Sequence, residues 1–161
     1  MEKIFERTTN ECAGLDDLRP EVLAYLQDYL ERLEMDPIRE LIACGETVSF
    51  PGKGGRHGRK KEGGVQYTAI IVTPGVLYWV VEQKRDMSVA WARLEDITVG
   101  DYRNSMEHKM IPDSGIDIFG FVKDDRERGS VFIGLGEGAA AEKLMSSLGE
   151  AVEKAGGTWK R

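Results

Sequence analysis

Apolar residues recur at three- and four-residue spacing in LDDLRPEVLAYLQDYLERLEMDP, where Val22, Leu23, Leu26, Tyr29, Leu30 and Leu33 share a face. The spacing predicts an amphipathic helix over residues 17–34. Asp16 or Asp17 can cap its start, and Met35-Asp36-Pro37 stops it, because proline disfavours the helical conformation in the residue before it. A second short helical turn is expected over Ile38 to Ala43. From Glu46 onward the pattern changes to short runs rich in β-branched and aromatic residues: GETVSF, VQYTAIIV, GVLYWVVEQ, MSVAWARL, EDITVGDYR, GIDIFGFVKD and GSVFIGLG. They predict seven strands. Thr73-Pro74-Gly75-Val76 supplies the proline and glycine of a type II turn, and DDRERG a polar reversal, so antiparallel hairpins are expected. NSMEHKMIPDS has no period and reads as a long loop.

After the last strand, Ala141, Leu144, Met145, Leu148, Ala151, Val152 and Ala155 fall on one face of a second amphipathic helix. Gly156-Gly157 would close it in the left-handed cap that glycine favours, leaving residues 158–161 as a tail.

The hairpin of the second and third strands carries a surplus. Tyr67, Ala69 and Ile71 lie on one face and Ile70 and Val72 on the other, followed by Leu77, Trp79 and Val81 against Val76, Tyr78 and Val80. A sheet wall needs one apolar face, so the second must be covered. The helix at 17–34 and a second copy of the chain are the two candidates for that cover. Trp79 and Trp91 sit inside strand patterns without basic neighbours, which suits packing better than stacking on bases.

With 161 residues, 41% of them hydrophobic, the chain suits one globular domain. A net charge of -6 makes the molecule as a whole repel nucleic acid and anionic membrane, so nucleic acid is not expected as a partner. Cys12 and Cys44 do not make a disulfide framework and read as reduced thiols. No apolar segment approaches the roughly 18 residues that span a bilayer, and the amino terminus has no apolar leader, so a cytoplasmic protein is expected.

Charge is segregated. FPGKGGRHGRKKEGG, between the first two predicted strands, holds Lys53, Arg56, Arg59, Lys60 and Lys61 against one carboxylate, Glu62. Its glycine spacing fits neither a dinucleotide fingerprint nor a P-loop, and a strand follows where a helix N-terminus would be needed. A solvated hairpin loop and an anion site both fit, since ordering each residue costs about 1–2 kcal/mol while each cation returns about 1 kcal/mol toward an anionic surface. His57 and His108 lie in separate loops without a carboxylate or cysteine at metal-ligand spacing. No Gly-x-Ser-x-Gly elbow occurs. No catalytic residue, metal site or cofactor is expected.

Ala43-Cys44-Gly45-Glu46-Thr47-Val48, the hairpin from Tyr67 to Val81, and Ala92-Arg93-Leu94-Glu95-Asp96-Ile97-Thr98-Val99 resemble bacterial pleckstrin-homology-like (PH-like, GRAM-like) domains over residues 38–157. The resemblance implies an α+β, mainly β fold: a partly open barrel of seven antiparallel strands plugged by a carboxy-terminal helix, with residues 1–37 as an N-terminal helical extension. In lipid-binding PH domains the loop between the first two strands holds inositol phosphates through a lysine and a later basic-x-arginine pair. Lys53 matches, but Arg59-Lys60-Lys61 ends in lysine, which lacks the bidentate fork, leaving non-specific anion binding.

The expected function is a non-catalytic interaction or assembly module binding a protein partner or itself through Tyr67, Ala69, Ile71, Tyr78, Val80, Leu26 and Leu30. The alternative is binding of an anion or acidic lipid head group, with peripheral contact to an anionic membrane, through Lys53, Arg56, His57, Arg59, Lys60 and Lys61.

Overall fold

The computed structural model describes residues 4–52, 64–122 and 127–160. In chain order the elements are β1 (Phe5–Cys12), α1 (Pro20–Arg32), β2 (Ala43–Pro51), β3 (Gln66–Val72), β4 (Val76–Gln83), β5 (Asp86–Arg93), β6 (Thr98–Asp101), β7 (Gly115–Val122), β8 (Arg128–Gly134), α2 (Ala139–Ala155) and β9 (Thr158–Lys160). The class is α+β, mainly β, in two sheets rather than a closed barrel. One sheet runs β1-β2-β3-β4-β5 and the other β8-β7-β6-β9. Neighbours are antiparallel except β6 and β9, which run parallel. No helix among the described residues is long and apolar enough to cross a membrane.

The seven predicted strands correspond to β2–β8, and two further strands flank them. The amino-terminal segment is not a helical extension alone: β1 pairs with β2 along its whole length, from Phe5 opposite Pro51 to Cys12 opposite Cys44. Its sequence, FERTTNEC, hides this, because the inward positions include Arg7 and Thr9 rather than apolar residues. Polar partners satisfy both. Thr9 Oγ1 lies 2.7 Å from Thr47 Oγ1 and accepts from the Gly136 amide at 2.8 Å. At the other end the expected tail is β9, held by the Thr158 amide donating to the Ile97 carbonyl at 3.0 Å and by Trp159 lying against Gly149.

Three local expectations are corrected. α1 starts at Pro20, in the first helical turn where a missing N–H costs nothing, while Asp16 and Asp17 form a separate 3-10 turn. There Asp17 Oδ2 accepts from the Ala13 amide at 2.8 Å. Residues 35–41 are without regular structure and send Met35, Ile38 and Leu41 toward the apolar cluster under α1, so the second helical turn does not form. Gly75 does not adopt the positive φ of a type II turn. Instead the Thr73 hydroxyl closes the β3–β4 hairpin, donating to the Val76 carbonyl at 2.9 Å and accepting from its amide at 3.0 Å. The left-handed cap at Gly156 is present, with φ 102°.

Two apolar cores follow from the two faces of the β3–β4 hairpin. Ile70, Val72, Leu77 and Trp79 point between the sheets and meet Ile116, Ile118 and the α2 residues Leu144, Leu148 and Val152. Trp79 stands edge-on to Phe121, with ring centroids 5.5 Å apart. α2 packs on β1, β2, β6 and β9, so it bridges both sheets. Ala69, Ile71, Tyr78 and Val80 point the other way, into the second core beneath α1.

Candidate functional site

α1 fits this sheet because Val22, Leu26 and Leu30 recur along one face and are its buried residues, so its inner stripe covers the second face of the hairpin. Polar ties fix its angle. The Arg19 amide, at the helix N-cap, donates to Glu46 Oε1 at 2.7 Å, and Arg19 Nη2 donates to Glu82 Oε2 at 2.6 Å. The same guanidinium lies 4.0 Å from the centroid of the Tyr67 ring. Burial disfavours its charge, yet the hydrogen bond to Glu82 and the surrounding carboxylates outweigh this and raise its pKa. Further along, the Tyr25 hydroxyl donates to the Met87 carbonyl at 2.9 Å. The Tyr78 hydroxyl is pushed up by burial first and by Asp36 next, so it stays protonated under the helix.

Each predicted interface residue therefore has a definite place. Ala69, Ile71, Tyr78, Val80, Leu26 and Leu30 are buried against one another within a single chain, and Tyr67 is half-buried beneath Arg19. The six do not form an open docking face, because α1 already occupies it. Lys53, Arg56, His57, Arg59, Lys60 and Lys61, the predicted anion-binding residues, lie outside the described residues. So does the first half of the predicted DDRERG reversal, residues 124–126.

What remains open is the edge where α1 meets residues 35–38. Leu15, Leu23, Leu30, Met35, Pro37 and Ile38 line a groove of about 390 Å³, with Gln27 and Glu31 as its polar lining. Leu33, 52% exposed, adds apolar surface just past the helix. Sequence reading missed Met35, Pro37 and Ile38 as groove residues because proline signals only a helix stop. The signal available was the apolar run continuing beyond that stop.

A second cleft, of about 280 Å³, mixes polar and apolar side chains, with Asp101, Asn104, Glu107, Asp117, Phe119 and Lys160 in its lining. Burial, then Glu107, pushes the Asp117 carboxyl up. Asp113, just before β7, is engaged by Arg7. Among the described residues no group of three or more His, Cys, Asp or Glu side chains could hold a metal ion.

No known protein family, curated protein or solved structure matches this chain.

Proposed function

We propose that this chain is a non-catalytic PH-like interaction module, and that it receives an apolar segment of a protein partner or of a second copy in the groove beside α1. The observation that carries the reading is the groove itself. α1 spends its inner stripe on the second core, yet Leu15, Leu23, Met35, Pro37 and Ile38 still form a concave apolar surface within the size range of ligand sites. Support for the PH-like part comes from the order of a four-strand meander, β2 to β5, a three-strand meander, β6 to β8, and then a helix. The non-catalytic part is supported by the mostly apolar lining, in which Gln27 and Glu31 are the polar side chains.

Light scattering on the wild type and on Leu23→Glu tests the self-association form. A wild-type dimer that becomes monomeric in Leu23→Glu, with unchanged far-ultraviolet circular dichroism, supports it. A dimer that survives the substitution sinks the groove as the self-interface. If both are monomeric, the occupant is another protein, and site-specific photo-crosslinking from position 23 identifies it.

A second reading, anion or acidic-head-group binding, is favoured by the five cations concentrated between β2 and β3 in a chain of net charge -6. Co-sedimentation with anionic and neutral liposomes at two salt concentrations tests it, beside a variant with Lys53, Arg56, Arg59, Lys60 and Lys61 changed to serine. Binding by the wild type alone, to anionic vesicles alone, supports the reading.

A further inference from the structure

The segment carrying α1 leaves the first sheet at one cysteine and returns to it beside another. Cys12 is the last residue of β1 and stands directly opposite Cys44, the second residue of β2. Directly opposed residues on antiparallel strands place their side chains on one face with Cα atoms about 4.5–5.5 Å apart, within the about 4.4–6.8 Å that a disulfide spans. Burial pushes both thiols above the ordinary cysteine value. Cys44 Sγ donates to the Cys12 and Gly14 carbonyls, each at 3.8 Å. Both cysteines are free. A cleft of about 200 Å³, lined by both of them with Glu11, Ala13, Ile42 and Lys143, reaches the pair from outside.

We propose that Cys12 and Cys44 are a redox pair, closed by exchange with a low-molecular-weight disulfide, and that the resulting bond locks the α1 segment at its neck. Cys12, 8% exposed against 1% for Cys44, takes the first step. Having lost its proton, its sulfur attacks one sulfur of the external disulfide, that S–S bond breaks, and one thiolate leaves. Deprotonated Cys44 then attacks the Cys12 sulfur of the mixed disulfide and expels the second thiolate. The two cysteines give up two electrons and two protons, and the external disulfide becomes two thiols. Residues 13–43 are then a closed loop. α1 and the groove beside it can no longer swing away from the sheet with Cys12 and Cys44 separating, and the unfolded chain loses loop entropy. The proposal requires nothing of the groove's occupant.

The test incubates the native full-length protein with oxidised glutathione, quenches with acid, alkylates the remaining thiols and maps peptides by mass. The expected product is a monomer in which the peptides of Cys12 and Cys44 are joined and no free thiol remains. Cys44→Ala should stop at a glutathione adduct on Cys12, whereas Cys12→Ala should resist reaction. Limited proteolysis within residues 33–42 should be about tenfold slower in the oxidised protein than in the reduced one. Unreacted native thiols, a glutathione adduct persisting on wild-type Cys12, or joining only in urea would overturn the redox pair. An unchanged proteolysis rate after complete joining would overturn the lock.

Discussion

The guanidinium of Arg7 forks onto the carboxylate of Asp113, with Nε donating to Oδ1 at 2.9 Å and Nη2 to Oδ2 at 2.8 Å. Arg7 belongs to β1 of the five-stranded sheet, and Asp113 stands two residues before β7 of the other, so the fork ties the two sheets together. Arg7 Nη1 donates to Ser49 Oγ at 2.6 Å, and the Phe5 and Phe132 rings lie 4.6 and 5.6 Å from the guanidinium carbon. With side chains only 6% and 11% exposed, little solvent screens the pair.

Removing one partner of a buried pair strands the other charge. Asp113→Ala should lower stability by about 3–5 kcal/mol, seen as a lower urea midpoint at unchanged slope. The double replacement Arg7→Met with Asp113→Leu should recover most of the loss, because no uncompensated charge is left. A loss below about 1 kcal/mol in the single variant would place the pair in the solvent-screened class.

Leu26 is fully buried in the second core, whereas Leu33 stands 52% exposed just beyond the same helix. Leu26→Ala should cost about 2–5 kcal/mol through lost burial and the cavity left behind. Leu33→Ala should stay within about 0.5 kcal/mol of wild type. Thermal unfolding of the two variants side by side checks this, and equal losses would mean that α1 does not pack as described.

The raised Asp117 carboxyl carries a pH signature. The folded protein holds this proton to higher pH than the unfolded chain, whose ordinary value is 3.8. The contribution to stability is therefore complete below that value and is lost as pH rises through the folded value. Asp117→Asn cannot ionise, so its stability should gain on that of the wild type between about pH 3 and pH 7. Denaturant titrations across that range measure the difference, and a constant gap would refute the shift.

A Cβ placed at Gly157 would run into the Leu94 carbonyl oxygen and stand 2.9 Å from the Ile97 oxygen. Both are backbone atoms that cannot rotate aside, so Gly157→Ala should cost about 1–3 kcal/mol and loosen β9 from β6. Gly138→Ala meets nothing within 4 Å and serves as the control. Amide hydrogen exchange at Thr158 to Lys160, faster in Gly157→Ala alone, is the expected readout.

Much of the fold was legible from local pattern. The strands β2 to β8 are marked by β-branched and aromatic runs, and α2 is marked by its apolar stripe and the left-handed Gly156. β1 was not legible, because its inward Arg7 and Thr9 acquire their sense only from Asp113, Ser49, Thr47 and Gly136, which are distant in sequence. β9 is three residues long and exists by pairing with β6. Of the candidate site, the need for cover on the β3–β4 hairpin could be read directly, but the groove could not, since Pro37 ends a periodic pattern without showing where the chain goes next.

By itself the sequence determined that residues 69–72 and 77–80 present two apolar faces, and hence that two covers were needed. Periodicity is a property of a few neighbouring residues, and a short window contains all of it. Tertiary structure alone decided that α1 of the same chain supplies the second cover, that Arg7 meets Asp113, and that Cys12 faces Cys44. Those pairings depend on strand register and on which distant segments share an edge, and a shift of one residue would turn every side chain of β1 to the opposite face.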